Sequence, residues 1–155
     1  MAKTRSKNIK LSQSNGRAVE KKVYDKIRQT YPRWYVNRYN ENKFSPTPCD
    51  IELQTKKNDI HIEVKSTVMD VLQKGSVRKN QIGYLLDYHK LNIRNLSFIL
   101  FYFNKSNTYV IVDIITFMDK VTKSRLDVEY LGNIGYVIKD WKQLANYFAR
   151  VSMRK

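Results

Sequence analysis

The sequence is poor in cysteine, histidine and glycine, and each shortage excludes a class of protein. Cys49 is the only cysteine and there are two histidines, so neither a disulfide framework nor a Cys/His zinc cluster can form. The five glycines form no G-x-G-x-x-G or P-loop pattern, which argues against nucleotide-driven chemistry. A single cysteine fits a reducing compartment.

Long apolar runs are also lacking. No stretch of the sequence approaches the length needed to span a bilayer, and the N-terminal segment MAKTRSKNIKLSQ lacks the apolar core of a signal peptide. We therefore expect an intracellular protein, either cytoplasmic or associated with the nucleoid.

Acidic residues are scarce compared with basic ones. Lys and Arg number 29 against 14 Asp and Glu, which gives a net charge of +15. Such a charge repels itself unless a polyanion or counterions screen it. An anionic membrane surface or an acidic protein would also suit this charge, but the basic residues are spread along the whole chain, which favours nucleic acid.

A chain of 155 residues with 42% hydrophobic residues is long enough to bury one core, so a single domain is expected. We assign this domain to residues 14–155 and a basic, flexible N-terminal arm to residues 1–13. The arm is either a plain tail or a segment whose cations lie along DNA phosphates. Its cations are Lys3, Arg5, Lys7 and Lys10.

The first half of the domain shows helical and then alternating patterns. Apolar residues at helical spacing predict a helix from Ser14 that Pro32 ends, followed by a strand over Trp34–Tyr39. The alternating runs CDIELQ (49–54) and IHIEVKS (60–66), joined by a polar stretch, predict an antiparallel hairpin.

The second half is predicted from apolar runs and cap signals. We expect an irregular segment over residues 67–78, a helix within NQIGYLLDYHK (80–90), and two buried strands in LSFILFYFN and TYVIVDIIT. A short strand near Tyr136–Ile138 and a helix over Trp141–Arg150, capped by Asp140, complete the chain. The fold class is α/β, with a central mixed five-stranded sheet flanked by helices.

The hairpin carries the candidate chemistry. Alternation puts Asp50 opposite to the apolar face of its strand, and it puts Glu63 and Lys65 together on the polar face of the next strand. If the apolar faces of the two strands coincide, Asp50 lies opposite Glu63 or one diagonal away. The two carboxylates therefore converge.

Two close carboxylates repel each other unless a divalent cation lies between them or one of them is protonated. Mg²⁺ prefers oxygen ligands and commonly combines one or two carboxylates with substrate phosphates, and Mn²⁺ is expected to substitute for it. The Lys65 ammonium would orient or help deprotonate an attacking water. The alternative is that Asp50, Glu63 and Lys65 form an ordinary solvated strand face.

Glu20 adds a further carboxylate. Apolar residues follow it at helical intervals, so it lies on the buried stripe of the first helix. It either sits at the edge of that stripe and reaches solvent, or acts as a third metal ligand through a water molecule.

The segment Pro48-Cys49-Asp50, followed after twelve residues by Glu63-Val64-Lys65, resembles the P-D…(D/E)-x-K motif of the restriction-endonuclease-like superfamily, with Cys49 as an insertion. With the SNGRAVE segment that opens the first helix, the order of elements is similar to archaeal-type Holliday-junction resolvases. This resemblance spans residues 14–103. It implies metal-binding acids at Asp50 and Glu63, a helix Glu at Glu20 and a catalytic Lys at Lys65.

The resemblance also implies a serine in the loop before the first acid and a polar residue on the following helix, for which Ser45 and Gln81 are the candidates. Aromatic residues such as Trp34, Phe44, Tyr84 and Tyr88 stack on bases or, more commonly, fill the core, and we assign none of them to the site. The expected DNA contacts are Lys3, Arg5, Lys7, Lys10, Arg17, Ser45, Lys74, Arg78, Lys79 and Gln81.

Together these features predict a Mg²⁺-dependent endodeoxyribonuclease. It would act as a homodimer that nicks paired strands of a four-way DNA junction by phosphodiester hydrolysis, in recombination and repair. Two alternatives remain open, namely a restriction- or repair-type endonuclease on duplex DNA and a non-catalytic basic DNA-binding protein.

Overall fold

The computed structural model describes residues 2–39 and 47–155, with side chains from Asn15 onward in the first segment. The helices are α1 (Ala2–Thr30), α2 (Lys79–Leu91), α3 (Ile114–Lys120), α4 (Val128–Ile134) and α5 (Leu144–Ser152). The strands are β1 (Tyr35–Arg38), β2 (Ile51–Gln54), β3 (Asp59–Thr67), β4 (Val71–Gln73), β5 (Asn95–Phe103), β6 (Thr108–Asp113), β7 (Arg125–Asp127) and β8 (Tyr136–Val137).

A six-stranded mixed sheet forms the centre of the domain, in the order β1-β2-β3-β5-β6-β8. β3 and β5 are parallel, and the other neighbouring strands are antiparallel. The α/β class with a central mixed sheet and flanking helices is confirmed. The predicted number of five strands was wrong, because the two-residue β8 also pairs with β6.

The predicted antiparallel hairpin is confirmed, and the structure selects one of the two registers that alternation allowed. β2 and β3 are antiparallel, with Ile51 opposite Ile62 and Leu53 opposite Ile60. All four of these side chains are fully buried, so one apolar face is continuous across the hairpin. This register sets Asp50, which immediately precedes β2, opposite Glu63.

The core lies on both faces of the sheet. On one face, α1 and α5 pack through residues such as Val23 and Phe148, and on the other face α2, α3 and α4 pack through Leu85, Phe117 and Leu131. All nine residues of β5 are buried, with alternate side chains entering the two clusters. The near-continuous apolar run of β5 is therefore that of a strand covered on both sides, as predicted.

Several element boundaries differ from the prediction. α1 begins at Ala2, so helix extends through the segment expected to be an arm, although a DNA-contacting role for that segment stays a prediction. The TYVIVDIIT run was predicted to be one strand, but β6 ends at Asp113 and α3 begins at Ile114. The Asp113 carboxylate caps α3 by accepting a hydrogen bond from the Thr116 amide at 2.9 Å.

Short elements were missed in two places. The segment over residues 67–78, expected to be irregular, contains β4, which pairs with β7 in a separate two-stranded sheet, and α4 follows β7 directly. Strands of three residues carry too little alternation to be recognised in sequence. The expected last helix starts with a 3₁₀ turn, Trp141–Gln143, capped by Asp140, and becomes α-helical at Leu144.

Within the part of the chain that the structure describes, no helix is both long enough and apolar enough to cross a membrane.

Candidate active site

The centre of the site is the start of β2 and the middle of β3. The Asp50 amide donates to the Ile62 carbonyl at 3.1 Å, so the ladder continues one residue beyond β2. The Asp50 carboxylate accepts a hydrogen bond from the Val64 amide at 2.7 Å. Asp50 is thereby fixed across the strand from Glu63, as the alternation predicted.

Glu63 is held by two side chains. It is 5% exposed, and its Oε1 lies 3.0 Å from Lys65 Nζ. The Gln81 side-chain amide also donates to this oxygen. The side-chain oxygen of Gln81, Oε1, in turn accepts a hydrogen bond from the Arg78 backbone amide at 3.1 Å. This bond fixes the Gln81 side chain at the start of α2. Gln81 thus contacts the candidate metal ligand, and its expected contact with DNA stays a prediction.

Glu20 reaches the site from α1. Its carboxylate lies 3.8 Å from the Arg38 guanidinium of β1, and its side chain is 20% exposed. It is close enough to Asp50 to raise the pKa of the Asp50 carboxyl. Glu20 therefore lies near the acidic pair, with its side chain partly exposed to solvent.

Electrostatics at this centre favour a bound cation. Burial, followed by the charges of Glu63 and Glu20, raises the pKa of Asp50 from 3.8 to about 8, against the lowering effects of the Val64 amide and Lys65. The Asp50 carboxyl therefore retains its proton to a higher pH than an ordinary aspartate does. Loss of that proton becomes favourable when another positive charge enters the group.

The donors suit a hard divalent cation only in part. Asp50 and Glu63 offer two carboxylates, which is a common protein contribution to a Mg²⁺ site that water and phosphate oxygens complete. Among the described residues, no group of three or more His, Cys, Asp or Glu side chains is arranged to hold a metal ion. The structure thus fits a two-carboxylate site, and direct or water-mediated ligation by Glu20 stays a prediction.

Sequence reasoning missed the aromatic stack beside the acids. The His61 ring lies parallel to the Tyr88 ring at a centroid distance of 3.5 Å, and it also stacks with Tyr84 at 6.0 Å. Burial lowers the pKa of His61. On the same face, the Tyr39 hydroxyl donates to Glu52 at 2.5 Å. The spacing of Gln81, Tyr84 and Tyr88 at i, i+3 and i+7 was the signal that α2 covers this face.

Arg38 was missed as well. Its guanidinium donates to the Arg17 carbonyl at 3.0 Å and neutralises part of the charge of Glu20. A basic residue at the end of a short strand carries no distinctive pattern, so only the packing of α1 against β1 identifies this partner.

The expected DNA contacts have varied positions. Arg17, Arg78 and Lys79 are exposed, whereas the half-buried Lys74 donates to the Val121 carbonyl at 2.9 Å, which gives it a structural contact. The remaining candidates have no described side chain. Ser45 lies outside the described residues, and the side chains of Lys3, Arg5, Lys7 and Lys10 are likewise not described.

Comparison with known proteins shows the fold of this chain. No protein-family model matches the sequence, and no curated protein matches it significantly. Among solved structures, the chain is similar to Hjc, a Holliday junction resolvase from the archaeal hyperthermophile Archaeoglobus fulgidus, with a TM-score of 0.61. The match covers 84% of this chain and 98% of Hjc at 14% identity.

This likeness is one of fold. The mixed sheet with its flanking helices is the architecture of a resolvase-like nuclease, in agreement with the resemblance seen in the sequence. The site residues and membership of the PD-(D/E)XK superfamily stay predictions at this level of identity.

Proposed function

We propose that this protein is a metal-dependent, structure-selective DNA endonuclease that acts as a Holliday-junction resolvase. One observation carries the proposal: Asp50 and Glu63 are set opposite each other on neighbouring strands, with Lys65 Nζ 3.0 Å from Glu63. The shared fold with Hjc and the net charge of +15 support DNA, and branched DNA in particular, as the substrate.

In this proposal the chain's own residues have distinct roles. Asp50 and Glu63 would hold Mg²⁺, which would supply activation of water and stabilisation of the charge that develops on the phosphate. Asp50 would hold the cation as the ionised carboxylate. Lys65 holds its ammonium group beside Glu63, where it offsets phosphate charge and orients the attacking water. Gln81 fixes the rotamer of Glu63.

A homodimer would place two such centres on opposite strands of one junction, so that paired nicks resolve it. Dimerisation is part of the proposal. It predicts that an active and an inactive subunit, when mixed, produce junctions nicked on one strand only.

The test is cleavage of a labelled four-way junction beside linear duplexes made from its arms, in the presence of Mg²⁺ or Mn²⁺. We expect the junction to be cut in preference to the linear duplexes, and Asp50→Asn and Glu63→Gln to abolish cutting while leaving metal-free junction binding intact. Asp87→Asn and Glu129→Gln make the same chemical changes at exposed positions and should cut normally. Unchanged cleavage by Asp50→Asn would refute the site, and equal cutting of linear duplex would refute the junction preference.

A further inference from the structure

A cavity of about 340 Å³ lies between the C-terminal part of α1 and the start of β1. We call it the aromatic groove. It is lined by four aromatic residues, Tyr24, Tyr31, Trp34 and Tyr35, together with Arg28, Pro32 and Val36. Its size is within the range of ligand-binding clefts, which is roughly 300–1,000 Å³. None of these residues belongs to the acidic site.

One wall of the aromatic groove is rigid. The rings of Tyr31 and Trp34 stack at a centroid distance of 3.8 Å with an interplanar angle of 4°. The Tyr31 hydroxyl donates to the Trp141 carbonyl at 2.6 Å and accepts from the Ala145 amide at 3.0 Å, so α5 and the 3₁₀ turn before it hold this wall. Tyr35, in contrast, is 55% exposed. A preformed aromatic wall beside an open ring suits a flat aromatic ligand.

The charge at the aromatic groove is positive. Arg28 is exposed, donates to the Tyr24 hydroxyl at 3.2 Å and lies 5.4 Å from the centroid of the Tyr24 ring. Arg33 is exposed in the neighbouring turn. No Asp or Glu is among the described residues that line the cavity. Aromatic rings combined with Arg and no carboxylate match the bases and phosphates of single-stranded nucleic acid.

The aromatic groove is aligned with the acidic site. On α1, Glu20, Tyr24 and Arg28 follow each other at intervals of four residues and so share one face. Arg38, at the C-terminal end of β1, contacts Glu20, whereas Trp34 immediately precedes the other end of β1. The separation along α1 from Glu20 to Arg28 is about 12 Å, at ~1.5 Å per residue. A stacked strand covers this distance in roughly three to four nucleotides, at ~3.4 Å each.

We propose that the aromatic groove binds an unpaired segment of the DNA strand, three to four nucleotides from the phosphate at the acidic site. Tyr35 stacks on a base and Arg28 contacts a phosphate. The inference rests on the proposed function for its substrate, and it adds a second point of contact that favours DNA with unpaired nucleotides beside a branch.

The test measures binding without metal, so that it does not depend on cleavage. A fluorescent branched DNA carrying an oligothymidine tail is titrated in EDTA and compared with the same DNA without the tail. We expect Tyr35→Ala to weaken binding of the tailed DNA by ~5-fold or more, because base stacking on an aromatic ring contributes substantially to such binding. Tyr35→Phe keeps the ring and should bind like the wild type.

The control for Arg28→Gln is Arg125→Gln, which removes the same charge at an exposed position on β7. Arg28→Gln should lose affinity for the tailed DNA beyond the loss in Arg125→Gln. The inference would be overturned if Tyr35→Ala and the wild type had equal affinity for tailed DNA, or if Tyr35→Ala lost the same affinity for DNA with and without the tail. Binding of a proline-rich peptide in place of the tail would also overturn it. If Tyr35→Ala binds the tail as the wild type does and still cleaves junctions, the role of the aromatic groove is refuted and the proposed function is left intact. If the wild type binds the tail but cleaves no DNA, only the proposed function is refuted.

Discussion

Burial of Asp50 opposes its ionisation, which predicts how the stability of the folded protein depends on pH. The pKa of the carboxyl is raised from 3.8 to about 8, so the folded protein binds this proton more tightly than the unfolded chain does. The stability that the proton contributes is complete below the unfolded pKa of 3.8 and is lost as the pH rises through about 8. Without divalent metal, the wild type should therefore lose stability over this range relative to Asp50→Asn.

Urea unfolding of both proteins in EDTA, at a series of pH values, measures this difference. Mg²⁺ should reduce the loss for the wild type and leave Asp50→Asn unaffected, because binding releases the proton. A pH-independent difference between the two proteins would contradict the raised pKa.

Gln81 supplies a second prediction at this scale. Its amide holds Glu63, and residues that orient a metal ligand typically contribute ~10–100-fold to metal affinity or activity. Gln81→Ala should lower junction cleavage by a factor in that range and raise the Mg²⁺ concentration required. Asn80→Ala, an exposed neighbour on α2, is the control. If both variants cleave equally well, Gln81 has no positioning role.

At the scale of elements, two glycines predict opposite effects of the same substitution. A Cβ at Gly135, between α4 and β8, would lie 2.6 Å from the Ile111 carbonyl oxygen and 2.7 Å from a Val112 methyl, so one of them must shift. Gly135→Ala should destabilise the protein by ~1–3 kcal/mol through overpacking.

Gly83 lies inside α2, and nothing lies within 4 Å of a Cβ added there. Gly83→Ala should stabilise the protein by up to about 1 kcal/mol, since Ala has the higher helix propensity. Chemical denaturation of the two variants checks both signs. Destabilisation by Gly83→Ala would show that the α2 surface needs a glycine at that position.

On the scale of the whole molecule, the charge of +15 predicts strongly salt-dependent DNA binding. A protein that makes several phosphate contacts loses ~10³–10⁵ in affinity between about 50 and 200 mM salt. Deleting residues 1–13 removes four cations and should reduce the slope of log affinity against log salt by up to about 3–4. Anisotropy titrations at several salt concentrations measure both slopes, and identical slopes would show that these cations do not contact phosphate.

What the sequence determined was local and periodic. Alternation of apolar residues placed Ile51, Leu53, Ile60 and Ile62 on one face of the hairpin and excluded a shift by one residue, which would expose them all. The strand faces of Asp50, Glu63 and Lys65 followed from the same rule. The choice between Asp50 opposite Glu63 and one diagonal away was made by the structure. The long apolar run of β5 likewise predicted a strand buried on both faces.

Tertiary structure decided whatever depends on residues far apart in the chain. The pairing of β4 with β7, the pairing of the predicted short strand β8 with β6, and the contact of Arg38 with Glu20 all join segments that are far apart in the chain, and local periodicity does not reveal such partners. The raised pKa of Asp50 likewise arises only when burial and two carboxylates from other elements meet at one point. Periodicity records which face of an element is buried, whereas the partner that covers the face is chosen by packing of the whole chain.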